Sequence, residues 1–237
     1  PIMNLRRAAW GMAALLLAGA FGALGAWQWQ RGDDKERMLA QWQAAGSAPP
    51  RSLAATLEQS VALPVRVEGS GRYVAGATVL LDNQVRDGRP GVMVLSLFQP
   101  DGAHRALLVN RGWIALDARR QLARAPADVI GQAAVTGLLS RPPSAGLRVE
   151  NVAWRVGMPP PMLNWLDLAS LEEQFGHALY PGVLLLDDGV ANGFARGWQP
   201  LPNTMPPARH RGYAVQWFGL ALTVLVVYAI LTKKRKA

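Results

Sequence analysis

The sequence predicts an α+β membrane protein. Two transmembrane helices flank a periplasmic, antiparallel, β-rich domain that resembles a sandwich or a barrel and carries a few short helices. Two apolar runs without a charged residue lie near the ends of the 237-residue chain, over residues 8–27 and 214–231. Between them, short segments rich in valine and leucine alternate with turn-forming residues, as in antiparallel sheets. The length suits one folded domain with its membrane anchor.

The first apolar run has 20 residues, enough for a helix to cross a hydrocarbon core of about 30 Å. A cleaved signal peptide is an alternative, because ALGA (residues 23–26) resembles a small-residue cleavage site. The run is long for a signal core, and a polar helix-forming segment over residues 33–45 follows it, which favours a continuous transmembrane helix. The spacing of Gly22 and Ala26 permits close approach of a second helix, although both residue types are common in such helices anyway.

The middle of the chain predicts six strands and two short helices. The helix over 52–59 begins after Ser52, and the helix over 167–176 is capped by Asp167 or Ser170 and ends at Gly176. The strand segments are bounded by glycine, proline, aspartate or asparagine, which suit tight turns. They cover residues 64–73, 78–84, 91–100, 105–114, 133–140 and 182–188.

The net charge of +9 is concentrated at the two ends of the chain. Positive residues stay on the cytoplasmic side of a membrane, so both termini are predicted to be cytoplasmic in a multi-pass protein of the bacterial inner membrane. The folded part has no large basic excess, which excludes nucleic acid as the expected partner and leaves the lipid bilayer. The predicted boundaries are 1–7 cytoplasmic, 8–27 transmembrane, 28–212 periplasmic, 213–231 transmembrane and 232–237 a cytoplasmic basic tail.

Enzyme signatures are weak, and we expect a protein that is not an enzyme. Cysteine is absent, which excludes thiolate metal sites and cysteine nucleophiles. His104 and His177 are scattered and more typical of turn residues than of metal ligands. Three methionines among prolines could bind copper(I) through their thioethers, which leaves a copper chaperone as a less favoured alternative. They are Met158, Met162 and Met205.

His210 differs from the other histidines because it lies about one turn before the second apolar run. At 3.6 residues per turn, it shares a stripe with Tyr213 and Trp217, and Gln216 lies about 60° to the side of Tyr213. The end of the first run must lie at the same membrane depth. Aromatic, amide and arginine side chains there and beside His210 suit a flat amphipathic macrocycle such as haem. They are Gln28, Trp29, Arg31 and Arg211. An interfacial aromatic belt with snorkelling arginines is the alternative.

Five motifs, in order along nearly the whole chain, resemble signature segments of the surfeit locus protein family of cytochrome c oxidase assembly factors. They are LGAWQWQRGDDK (24–35), VRVEGSGRY (65–73), LLDNQVRDGRPGVMVLSLF (80–98), LLVNRGWI (107–114) and HRGYAVQWFGLAL (210–222). Gln84, Met93 and the pair Ser96–Leu97 depart from the family's pattern, and all lie in the β-rich part.

The resemblance implies an assembly factor for a haem-copper (aa3-type) cytochrome c oxidase. Such a factor binds haem a and assists its insertion into the catalytic subunit. The family associates the histidine before the second span with haem, which falls here on His210 as the iron ligand. Oxidase subunits are then the expected partners, with haem a synthase as a further possibility. The alternative is a membrane scaffold that stabilises oxidase assembly intermediates without binding haem. The residues Asn110 to Trp113 are expected to support the β-rich domain or its docking face.

Overall fold

The computed structural model describes residues 2–122, 126–143, 159–198 and 205–234. Its contacts divide the chain into two compact units. One unit combines residues 1–40 with residues 200–237, and the other consists of residues 41–199. The two predicted terminal helices therefore form one unit, and the strands form the other.

The helical unit contains the two predicted apolar helices. The helix α1 spans Ile2–Ser47 without interruption, which confirms that the polar segment after the first apolar run extends the same helix. The helix α4 spans Pro207–Lys234 and begins at a proline, whose missing N–H is tolerated in the first turn. Both helices are long and apolar enough to cross a membrane, and only 11% and 6% of their most apolar windows are buried. Such outward-facing apolar surface suits lipid contact.

Small residues seven positions apart along α1 allow α4 to approach closely. They are Gly11, Ala18, Gly25 and Gly32. A Cβ atom at Gly25 would lie 2.6 Å from Cε1 of Phe218, and one at Gly11 would lie 2.7 Å from the Tyr228 hydroxyl. A seven-residue repeat is typical of helices that cross at a shallow angle. Gly22 is not part of this contact, because a Cβ atom there would meet nothing within 4 Å.

Within the described residues of the second unit, seven strands form one sheet. They are β1 Arg51–Ser52, β2 Val65–Arg86, β3 Arg89–Pro100, β4 Ala106–Ala115, β5 Gly131–Ser140, β6 Met162–Leu163 and β7 Leu179–Leu186. The hydrogen-bonded order runs β1-β2-β3-β4-β7-β5, and β5 also pairs with β2. Each of the five long strands thus pairs with two other long strands, so that β2, β3, β4, β7 and β5 form a closed cycle.

The expectation of a purely antiparallel sheet is wrong, because the sheet is mixed. The pairs β1–β2, β2–β6 and β4–β7 are parallel, and the remaining pairs are antiparallel. The strand β4 pairs with β7 although more than 60 residues separate them, with Asn110 opposite Leu185. Short apolar segments predict strands but carry no information on the direction of a distant partner.

Two predicted strands, 64–73 and 78–84, are one strand in the structure. The strand β2 runs for 22 residues and contains a register shift between Tyr73 and Thr78, with Gly76 at φ +67°. Such a bulge bends a strand without ending it. The predicted turn chemistry after β2 is confirmed, because Asp87 and Gly88 connect β2 to β3 with φ of +51° and +73°. Two such residues form the hairpin turn that matches strand twist.

The two short helices α2 (Leu53–Leu57) and α3 (Leu168–Phe175) are capped as the sequence indicates. The Ser52 hydroxyl accepts from the Ala55 amide, and the Asp167 carboxylate accepts from the Ser170 amide. The internal glycine of β2, Gly69, makes room for α2, because a Cβ atom there would lie 2.9 Å from the Cβ of Leu53. The α2 leucines are thereby buried in the core between the strands.

Arg111 lies inside the strand unit with only 2% of its surface exposed. Its guanidinium donates to the Ser96 hydroxyl at 3.2 Å and to the carbonyls of Ala127 and Asn192 at 3.2 and 2.9 Å. It also lies 5.1 Å above the Phe194 ring. Burial lowers the pKa of Arg111, and these contacts hold the side chain in place.

The residues around Arg111 support the expectation that the segment from Asn110 to Trp113 stabilises the β-rich domain. The Asn110 amide donates to the sulfur of Met93 at 3.1 Å, and the Trp113 indole donates to the carbonyl of Gln84 at 2.8 Å. Ser96 bonds both Arg111 and Thr78. The departures Gln84, Met93 and Ser96 therefore all contact this segment or its partners, inside the domain.

Candidate functional site

His210 lies at the contact between α1 and α4. It is 8% exposed, and its Nδ1 atom is 2.7 Å from Oε1 of Gln28, a residue 182 positions earlier in the chain. Gly32 lies beside this contact, because a Cβ atom there would be at van der Waals distance from His210 and Pro207, 3.6 Å from the Cβ of His210 and 3.4 Å from the carbonyl of Pro207. The structure therefore brings together two residues that the sequence assigned to one site.

The contact with Gln28 favours one tautomer of the His210 imidazole. With the amide oxygen of Gln28 as acceptor, Nδ1 of the imidazole carries the proton and donates it. The lone pair of the neutral ring is then on Nε2, which is the arrangement of a histidine that binds a metal through Nε2. Gln28 is thus a positioning residue for the imidazole.

The remaining predicted site residues divide between the two sides of α1. Gly32 faces α4, and each residue along a helix is rotated by about 100° from the one before it. Relative to Gly32, Gln28 and Arg31 therefore lie on one side of α1, and Trp29 lies on the other side. On α4, Tyr213 and Trp217 share the side of His210, whereas Arg211 lies on the opposite side. We call these the His210 flank (Gln28, Arg31, Tyr213, Trp217) and the Arg211 flank (Trp29, Arg211).

On the Arg211 flank, ion pairs join α4 to α1. The Arg211 guanidinium is 3.1 Å from the Asp33 carboxylate and 2.6 Å from the Glu36 carboxylate. It also lies 5.7 Å from the centre of the Trp29 ring. Asp33 and Glu36 were missed as site residues, although their spacing from Trp29 places all three on one helix face. An open pocket of about 500 Å³ lies on this flank, lined by Ala26, Trp29, Gln30, Asp33 and Phe218.

The His210 flank is aromatic and basic. Trp217 is half-buried and packs against Phe21, with ring centres 5.6 Å apart. Tyr213 is 41% exposed. Arg31 is exposed, and its charge and that of Lys35 act electrostatically on His210. This flank combines a shielded imidazole, aromatic surface and positive charge.

Other predicted ligands lie elsewhere. Gln216 is exposed and points about 160° away from the α1-facing residue Ala214. Met205 uses its carbonyl to accept from Lys35 at 2.9 Å, Met162 lies in the strand β6, and Met158 is outside the described residues. Among the residues that the structure describes, no three histidine, aspartate or glutamate side chains group as a metal site.

The donor set on the His210 flank fits an iron macrocycle. One imidazole whose Nδ1 contacts Gln28 would hold the iron of a macrocycle through Nε2, and no cluster of further protein ligands would be required. The imidazole is held in place by this contact between α1 and α4, and the whole His210 residue is 8% exposed. These features agree with the chemistry of a haem ligand.

A comparison with protein families identifies a match. A family model described as the SURF1 family matches residues 15–222, which is most of the chain. This is the surfeit locus protein family that the five motifs resemble. A search of curated proteins found no matching sequence.

Proposed function

Because the chain belongs to the SURF1 family, which is associated with cytochrome oxidase assembly, we propose that it binds haem a and assists haem insertion into an aa3-type cytochrome c oxidase. It acts as a chaperone for the catalytic subunit rather than as an enzyme. The observation that carries this proposal is the partly buried hydrogen bond between Nδ1 of His210 and Oε1 of Gln28, which leaves Nε2 of the imidazole for iron.

The proposal assigns a role to His210, Gln28, Tyr213 and Trp217. His210 ligates the iron through Nε2, while Gln28 holds the ring in one tautomer and one orientation. Tyr213 and Trp217 offer aromatic surface to the macrocycle on the same side of α4. Bound haem would supply an iron that accepts a nitrogen ligand from the protein. Trp29 belongs to the Arg211 flank and contributes to packing there.

Replacing Gln28 with leucine tests the positioning role. Gln28→Leu removes the acceptor of the Nδ1 proton, so we expect haem affinity to fall by about 10- to 100-fold. Absorbance titration of the detergent-solubilised chain with haemin measures this. Gln30→Leu is the matched control, because it makes the same chemical change about 160° away from Gly32 on α1. Equal affinities for the two variants would contradict the role of Gln28.

An experiment in cells distinguishes this proposal from the alternative of a membrane scaffold that does not bind haem. In a strain that depends on this chain for its aa3 oxidase, His210→Ala should abolish the haem a absorbance of the oxidase while its subunits still co-purify with the chain. The control is His104→Ala, at an exposed position in the strand unit. A normal oxidase spectrum with His210→Ala would favour the scaffold.

We also propose that both termini are cytoplasmic and that the strand unit is periplasmic, in a bacterial inner membrane. The support is the position of Arg6, Arg7 and the lysines from Lys233 onward beside the apolar helices. Alkaline phosphatase fused after the last residue should be inactive, and the same enzyme inserted at the Asp87–Gly88 turn should be active. The reverse pattern would contradict this orientation.

A further inference from the structure

Two arginines near His210, Arg31 and Arg211, are candidates for binding the carboxylates of a macrocycle, and they differ in their contacts. Arg211 already contacts two carboxylates, Asp33 and Glu36, and lies over the Trp29 ring. Both contacts are made by its Nη2 atom, while its buried Nε atom has no hydrogen-bond partner. A further carboxylate would have to compete with two that are held on the neighbouring helix.

Arg31 is in the opposite situation. It is exposed, and within the part of the chain that the structure describes it has no ion-pair partner. It shares the His210 flank with Gln28, because three residues along a helix correspond to about 300° of rotation, which leaves the two side chains only about 60° apart around the helix axis. It also lies about 4.5 Å further along α1 from the apolar run than Gln28. A carboxylate beside it would face away from the hydrocarbon region.

We infer that Arg31 is the carboxylate-binding residue of the His210 site and that Arg211 is a structural residue of the helix pair. The ligand class is a flat amphipathic macrocycle with an iron at its centre and anionic carboxylates at its edge. This inference rests on the proposed function. The guanidinium offers paired N–H donors in a planar fork that matches a carboxylate. Lys35 adds a second positive charge near the same side, although its ammonium group already donates to the Met205 carbonyl.

The test compares two probes that differ only in charge. Haemin carries two free propionates, and haemin dimethyl ester carries none. The full chain in detergent is titrated with each, and absorbance gives both affinities. We expect the wild-type chain to prefer haemin by about tenfold, the effect of one charge-assisted contact. Arg31→Gln should reduce this preference to about one, and Arg31→Lys should keep part of it because the charge remains.

Two control variants complete the design. Arg37→Gln removes an exposed arginine that pairs with Asp34 at 2.6 Å on the same helix, and it should leave the preference unchanged. Arg211→Gln should also leave it unchanged, although the helix pair loses its contacts to Asp33 and Glu36.

The outcomes separate the inference from the proposed function. If the wild-type chain binds both probes equally, or if Arg211→Gln rather than Arg31→Gln removes the preference, the assignment of Arg31 is overturned while haem binding stands. If the wild-type chain binds neither probe, the proposed function fails, and the inference fails with it.

Discussion

Replacing His210 with glycine should lower the affinity for haemin by more than about 100-fold, because the substitution removes the iron ligand rather than a residue that positions it. The reason is local: His210 alone among the three histidines has Nδ1 bonded to a residue of the partner helix at 2.7 Å in a buried contact. Absorbance titration of the detergent-solubilised chain measures the loss.

Imidazole added to the His210→Gly variant should restore the absorbance spectrum of the wild-type complex, since the small molecule can occupy the space of the missing ring. A variant that merely fails to fold would not recover in this way. His104→Gly serves as the control, at an exposed turn position of the strand unit. Unchanged affinity in His210→Gly, or equal losses in both variants, would contradict the ligand assignment.

Replacing Arg111 with methionine should destabilise the chain by about 3 kcal/mol, because it removes a buried guanidinium together with its three hydrogen bonds. The acceptors are the Ser96 hydroxyl and the carbonyls of Ala127 and Asn192. For a unit of this size, the loss corresponds to a decrease of about 10 °C in the midpoint of thermal unfolding. The midpoint is measured by tryptophan fluorescence of the full chain in detergent.

The control for Arg111 is Arg119→Met, which makes the same change at an exposed position near the end of the following turn. Its midpoint should stay within about 1 °C of the wild type, since exposed substitutions change stability little. If the two variants unfolded at the same temperature, the contacts of Arg111 would not carry the stability assigned to them. Haemin binding should be measured in both variants, to separate stability from ligand binding.

The helices and strands were largely predictable from local patterns. The uncharged apolar runs gave α1 and α4, and the caps of α2 and α3 were readable from Ser52, Asp167 and Gly176. Strand direction was not predictable, because the pairing of β4 with β7 joins residues far apart in the chain. The division of the segment around Gly76 into two strands was also wrong, since a bulge and a turn share the same residue types.

The site was predictable only in part. Helix periodicity placed His210, Tyr213 and Trp217 on one side of α4, as the structure does. Which residues of α1 lie opposite depends on the packing register of the two helices, to which the close approach of Phe218 to Gly25 contributes. A single sequence gives no register between two helices. Periodicity therefore left Arg31 and Arg211 as equal candidates, and the pairing of Arg211 with Asp33 and Glu36 distinguishes them.

The most direct test of the central claim is the absorbance spectrum of the full chain purified in detergent from cells that make haem a. If the chain binds haem a through His210, the wild type should show the bands of haem a at up to about one haem per chain. These bands should be lost in His210→Ala and retained in His104→Ala. A wild-type spectrum without haem bands, or equal haem content in wild type and His210→Ala, would contradict the account.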